Sequence, residues 1–271
     1  MWASAWAVFA GIREKWHAQE ESQKRLAFCE SVRTVLQNRA FLCVACSYMC
    51  GPTAVVLIQS NFYMFCKYIL GDADLLSLLM LCAQGLGMLF VPVWVFMSRR
   101  FDKRVVSMLG GAGFLVAACG IFFVQAANQA IVLACMIGVC LSTVFIVPYS
   151  MLPDVVDEDE LRTGRRREGL FVGFFTIALK FSATAAFTLT NVTLKASGYV
   201  APEATCGMGT DESGEPAQND EVLLCIRLLC SAAPAAFLLA TIACAWCFPI
   251  SRQAQAENAR QVARLRHERA A

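Results

Sequence analysis

Lys180 sits in the stretch FFTIALKFSAT, the one charge deep inside a long apolar run. It lies eleven residues past Gly169, roughly 16 Å into a helix rising ~1.5 Å per residue. That depth is near the middle of a hydrocarbon layer ~30 Å thick. A lysine there costs about 2.5–3.5 kcal/mol even on the gentlest insertion scale. Such a cation belongs beside a cavity, a carboxylate or an anionic ligand. From the midplane the interface is too far to reach by snorkelling. The six long apolar runs contain no Asp or Glu, so the partner must be a ligand, water or an acid elsewhere.

Other polar groups in the apolar runs are candidates for hydrogen bonding a substrate. Gln59, Ser60 and Asn61 cluster ahead of the aromatics Phe62, Tyr63 and Phe65. Gln84 and Thr143 are weaker instances of the same type. The plain alternative is hydrogen bonding between helices, worth about 0.6–2 kcal/mol. A second constellation is MLPDVVDEDELRTGRRREGLF, Met151 to Phe171, with five acids followed by four arginines. Pro153 fits the first position of a short helix, with Asp154, Asp157 and Glu158 in its opening turns against the positive helix end. Glu158 and Arg162 have i,i+4 spacing in the favourable order. Gly164 is expected to end the helix, and Arg165, Arg166 and Arg167 to anchor the next apolar run. Asp154, Asp157, Arg162, Arg165 and Arg166 are the candidate residues of a latch at this face.

Several chemistries are excluded. There is no Ser-His-acid set, no H-E-x-x-H and no paired carboxylates within the apolar runs, so an enzyme reading lacks support. TGRRREG lacks the spacing of a phosphate-binding loop. Twelve of the 14 cysteines fall inside apolar runs, unlike a secreted disulfide framework. Cys43-x-x-Cys46 and Cys244-x-x-Cys247 have metal-pair spacing but no nearby His or acid, so no metal site and no cofactor is expected. The sequon at Asn191 abuts an apolar run. Arg227 is expected to snorkel or to pair with Asp220 or Glu221. Net charge is only +2, which gives no reason to expect a nucleic-acid partner.

The elements that must hold these residues follow from composition. The chain is 58% hydrophobic and 16% charged, against about 25% charged in soluble domains, and its mean hydropathy is +0.54. The bilayer is the indicated solvent, and spans must be helical because lipid offers backbone groups no partners. Six runs reach the ~20 residues needed: 41–66, 75–97, 105–125, 131–151, 169–192 and 222–248. Pro52, Pro92, Pro148 and Pro234 fall inside or near their ends. The glycine pairs Gly85/Gly87 and Gly111/Gly113 suit helix packing. Nineteen of the 23 basic residues lie on one side of this six-span arrangement. The positive-inside rule therefore places both ends in the cytoplasm. Residues 13–40 form a charged cytoplasmic linker, 41–249 the bundle and 250–271 a cytoplasmic tail. Residues 1–12, MWASAWAVFAGI, are apolar but too short to span. They suit the end of a preceding membrane helix or, alternatively, an interfacial anchor held by Trp2, Trp6 and Trp16.

PYSMLPDVVDEDELRTGRRREGLFVGFF, Pro148 to Phe175, resembles the loop between helices ten and eleven of the glycoside–pentoside–hexuronide:cation symporters. That family is a branch of the major facilitator superfamily. It includes bacterial melibiose-type carriers and the animal sodium-dependent lysophosphatidylcholine symporters. NFYMFCKYILG, Asn61 to Gly71, resembles helix seven of the lipid-carrying members, and GIREKWHAQ resembles the end of helix six and the central linker. The resemblance implies an all-α membrane protein whose six spans form the C-terminal bundle of a twelve-helix carrier, with the N-terminal half as its missing partner. It implies no cofactor beyond a coupling cation, Na+ or H+, whose acidic ligands sit mainly in that other half. It implies a sugar or a lysolipid as substrate, in contact with membrane lipids at the plasma membrane. The family's helix-eleven lysine matches Lys180, and in lipid carriers it is thought to meet the headgroup phosphate. Several relatives carry a helix-seven acid where this chain has Gln59. Cys206 matches an outer-loop cysteine that bridges to the other half. The expectation is cation-coupled symport by alternating access, with Lys180, Gln59, Asn61 and Thr143 as substrate or cation ligands. The alternative is a truncated, non-transporting membrane protein that scaffolds or regulates.

Overall fold

In the computed structural model, residues 32–33, 36–164, 167–199, 218–250 and 252–270 are described. The proposed preceding helix end (1–12), most of the linker, Arg165, Arg166 and Cys206 lie outside them. The helices all fall in one unit, Val35–Ala271. They are α1 (Arg39–Phe65) continued by a π-helical turn (Cys66–Leu70), α2 (Leu75–Arg100), α3 (Lys103–Ile121), α4 (Ala127–Thr163), α5 (Glu168–Ala196), α6 (Asp220–Cys230), α7 (Ala232–Trp246) and α8 (Arg252–Ala270). The described residues contain six helical segments long and apolar enough to cross a membrane, α6 and α7 together making the sixth. Each overlaps one of the six apolar runs of the sequence.

Local chemistry sets the ends. The Asn38 side chain accepts from the Phe41 amide at 3.0 Å and starts α1. Asp102 accepts from the Arg104 amide at 3.1 Å and starts α3, each satisfying one of the first-turn donors that lack helical partners. Gly164 ends α4 in the left-handed region at φ 69°, its N–H returning to the Glu160 carbonyl.

One expectation is overturned. The acidic segment is not a separate short helix starting at Pro153. Span four runs unbroken through Pro148 and Pro153 to Thr163, 37 residues in all. An internal proline costs about 3 kcal/mol. That cost is offset because one face of the extension buries Val155 and Val156, and because Lys103 donates to the Ser150 carbonyl at 2.7 Å. The correction reverses the electrostatics. Asp157 to Glu160 sit in the last two turns of α4, at its negative end, where the dipole disfavours acids. Neighbouring cations must hold them instead.

α4 is the hub, packing on α1, α2, α3 and α8, while α1 also packs on α5, α6 and α7. Close approach to α2 depends on Gly138: a Cβ there would stand 2.6 Å from the Ala83 carbonyl oxygen. Trp94 Nε1 donates across the same seam to the Val139 carbonyl at 2.6 Å. Gly87, Gly111 and Gly113 also face neighbouring side chains, but Gly85 faces open space, so only three of the four expected packing glycines pack. Arg227 does not pair with Asp220 or Glu221 among the described residues. Its Nη1 donates to the Phe122 and Val124 carbonyls at 2.9 and 3.4 Å, capping the end of α3.

Candidate functional site

The site is built on the seam between α1 and α5. Phe41 meets Phe171 at 5.1 Å and Tyr48 stacks on Phe175 at 3.9 Å between ring centroids. Further along, Thr53 Oγ1 lies 3.4 Å from the Ser182 carbonyl and Asn61 Nδ2 donates to Thr190 Oγ1 at 2.9 Å. Both hydrogen-bonded pairs are 129 residues apart in the chain. The two helices therefore run parallel in one fixed register, and any residue of α5 is level with the residue 129 positions earlier.

This register positions Lys180. Its level on α1 is Gly51, eight residues before Gln59, an axial separation of about 12 Å. Lys180 is exposed on α5 and makes no ion pair among the described residues. Thr176, Thr184, Thr188, Asn191 and Lys195 are exposed along the same helix at three- and four-residue spacing. Thr176 and Thr184 donate to the carbonyls of Val172 and Lys180, at 2.9 and 3.2 Å, which leaves the hydroxyl lone pairs outward. Exposed Ile177, Phe181 and Phe187 border this polar line. A polar stripe with one mid-depth cation and apolar margins suits an anionic group attached to an apolar body.

The amides divide. Gln59 and Gln84 are exposed and stand together at a small apolar cavity of about 30 Å³ between α1, α2, α3 and α4, lined also by Ile58, Phe62, Met80 and Ile137. Asn61 is fully buried; its Nδ2 donates to the Leu57 carbonyl at 2.8 Å as well as to Thr190, while its Oδ1 has no partner. Thr143 is buried against Gly110, its hydroxyl donating to the Cys140 carbonyl at 2.6 Å. The helical face decides this: Gln59 is on the uncovered side of α1, and Asn61, two residues on, is turned into the α5 seam. Asn61 thus bonds across to α5, the plain alternative for such a group, while Thr143 bonds within α4 and packs against Gly110 of α3; neither reaches an open face here. Lys180 and Gln59 remain as candidate ligands.

The charged end is a network rather than a free latch. Asp154 Oδ2 pairs with Lys103 Nζ at 2.7 Å and Asp154 Oδ1 accepts from Gln255 Nε2 at 2.6 Å. One carboxylate therefore joins α4 to the start of α3 and to α8. Arg252 donates to the Arg100 and Arg99 carbonyls at the end of α2, and Arg104 donates to the Phe248 carbonyl at 2.9 Å. Asp159, buried near the end of α4, lies 3.5 Å from Arg167 Nε without hydrogen-bond alignment. Glu158 and Arg162 do not close to an ion pair among the described residues, and Arg162 is exposed. Lys103, Gln255 and Asp159 were not singled out by spacing, and Arg167 was expected to anchor the next span rather than to face Asp159. Charge reversal across the α2–α3 turn was the available signal for Lys103; Gln255 carried none.

A family profile described as MFS/sugar transport protein matches residues 1–252. The chain belongs to that family. An uncharacterized symporter of Synechocystis is 33% identical over 88% of this chain and 43% of its own length. A sodium-dependent lysophosphatidylcholine symporter of Danio rerio is 26% identical over 94% of this chain and 46% of its own. A sphingosine-1-phosphate transporter of Xenopus tropicalis is 26% identical over 97% and 50%. The chain thus spans about half the length of the curated relatives it matches. Family and relatives are transporters, not enzymes, and with six apolar helices the protein is a multi-pass membrane protein.

Proposed function

We propose that this chain is one six-helix bundle of a cation-coupled symporter, the C-terminal bundle of a major facilitator fold, and that its substrate is a lysolipid with an anionic headgroup. The observation that carries the reading is Lys180, exposed at mid-length of α5 on a stripe of threonines with aromatic margins. A neutral sugar would give that cation no counter-charge; a phosphate would. The names of two relatives, with lysophosphatidylcholine and sphingosine-1-phosphate as cargo, support the choice. α2 and α5, the least buried spans, offer the faces against which a second bundle would enclose a pathway. The basic end, which holds the α2–α3 turn, the end of α4 and α8, is cytoplasmic by the positive-inside rule, and the plasma membrane is the proposed location.

In this reading Lys180 binds the headgroup anion and Gln59 lies on the same pathway. The coupling cation, Na+ or H+, is held mainly by the other bundle and favours substrate by a coupling free energy of typically ~1–3 kcal/mol. The cytoplasmic latch is relocated. Asp154 is committed to Lys103 and Gln255, which makes it a fastening within this bundle. Exposed Arg162 is available for contacts to the other bundle, and Asp157, Arg165 and Arg166 are proposed as further members of that latch. Uptake of labelled lysophosphatidylcholine against a melibiose-type sugar, with and without sodium, in cells expressing the gene's complete product, tests the proposal. Sodium-stimulated lysolipid uptake abolished by Lys180→Gln supports it. Sugar uptake that survives Lys180→Gln, or no uptake of either, overturns it.

A further inference from the structure

At the end of α1 opposite the basic end, an aromatic pair already holds a cation. Lys67 Nζ lies 5.8 Å from the Tyr63 ring centroid and 5.6 Å from that of Tyr68, within cation–π range of both. The π-helical turn makes this possible. In a regular α-helix, residues five apart point to different sides; the wider turn over Cys66–Leu70, with i→i+5 bonding, brings Tyr68 round towards Tyr63. Gly71, at φ 72°, ends the turn, its N–H donating to the Cys66 carbonyl. Tyr199, beyond α5, meets Tyr68 edge-on at 6.4 Å and backs it. Tyr63 is 47% exposed and shares one face of α1 with Gln59 and Lys67, at i, i+4 and i+8.

The α1–α5 register shows that this place is separate from Lys180. Lys67 is level with Ala196, sixteen residues past Lys180, or about 24 Å along the axis. No single phospholipid headgroup spans that distance. Lys195, exposed and one residue before that level, adds a second positive charge to the same end.

We infer that Tyr63 and Tyr68, with Lys67, form an outer headgroup station for a zwitterion that carries both a phosphate and a quaternary ammonium. The inference rests on the lysolipid reading above. Lys67 occupies the ring faces as a tethered stand-in cation. A quaternary ammonium has no N–H to satisfy and is weakly hydrated, so it suits ring faces better than a lysine ammonium does. When it takes the rings, Lys67 turns to the phosphate beside it, with Lys195 supporting the anionic end. The headgroup then moves inward along the threonines of α5 to Lys180.

Equilibrium binding in nanodiscs, with lysophosphatidylcholine and lysophosphatidic acid of the same acyl chain, tests the station. Tyr63→Leu weakens lysophosphatidylcholine binding roughly threefold to thirtyfold and leaves lysophosphatidic acid unchanged, because only the first carries a quaternary ammonium. Tyr63→Phe, which keeps the ring, restores it. Should Tyr63→Leu fail to fold, Tyr68→Leu carries the same expectation. Equal weakening of both lipids, or of neither, overturns the station while leaving the lysolipid reading intact, provided Lys180→Gln weakens both. Wild-type protein that binds neither lipid overturns the station and the lysolipid reading together.

Discussion

α4 and α5 follow one another in the chain, and both are long apolar helices, but they do opposite work. In its apolar window α4 is 56% buried and α5 22%. α4 touches five other helices; α5 leans chiefly on α1 and only lightly on α4 and α6. α4 carries two internal prolines and buried acids, whereas α5 has no proline and carries Lys180 in the open. The window of α4 is also the more apolar of the two, although hydropathy alone does not show which helix is covered. What separates them is the kind of polar residue each tolerates. On α4 the polar group at Asp154 is held within the bundle by Lys103 and Gln255; on α5 Thr176, Lys180, Thr184, Thr188, Asn191 and Lys195 stand exposed along one line.

That contrast can be broken by substitution. The largest effect is expected at Gly138 on α4. Gly138→Val places carbons against the Ala83 carbonyl and should cost about 3 kcal/mol or more, read as a fall in thermal unfolding temperature. Gly173 on α5 has nothing within reach of a Cβ, so Gly173→Ala should be neutral or stabilising by up to about 1 kcal/mol. Next, Asp154→Ala removes the partner of Lys103 and Gln255 and should cost about 2 kcal/mol, with α8 becoming susceptible to limited proteolysis. If Lys103→Met in the same chain recovers none of that loss, the pair is not the cause. Lys180→Gln on α5 should instead leave thermal stability within about 0.5 kcal/mol while lowering lysolipid uptake at least tenfold, ~1.4 kcal/mol. A stability loss matching that at Asp154 would remove the distinction between the helices. The smallest effect is Asn61→Ala at the α1–α5 seam, about 0.6 kcal/mol as is typical between membrane helices, detectable by a double-mutant cycle with Thr190→Val.

The six spans were legible because twenty-residue apolar runs in this chain have no other structural outlet, and Gly164 was legible as a stop because only a left-handed residue follows so many helical ones. Pro153 misled. A proline at the head of an acidic segment reads as a helix start, and nothing local reveals that Val155 and Val156 have a core waiting for them. Gln59 and Asn61 looked equivalent in sequence; two residues on a helix separate an open face from a sealed one, and only the partner helix settles which is which. Lys180 was legible as a candidate from the cost of a lysine at mid-membrane depth. The register that puts it 12 Å from Gln59 depends on Asn61 finding Thr190, a long-range pairing that no spacing rule encodes.

The unbroken run of α4 has a mechanical consequence. Thirty-seven residues make a rod of about 55 Å, well beyond the ~30 Å of hydrocarbon, and most of the surplus is at the charged end. A rod gripped at mid-membrane acts as a lever arm. A tilt of about 10° at the grip displaces its tip by about 6 Å, given the ~35 Å of helix between them. Asp154 sits on that arm with α3 and α8 fastened to it, so a motion too small to reshape the middle of the bundle would sweep three elements together across its end.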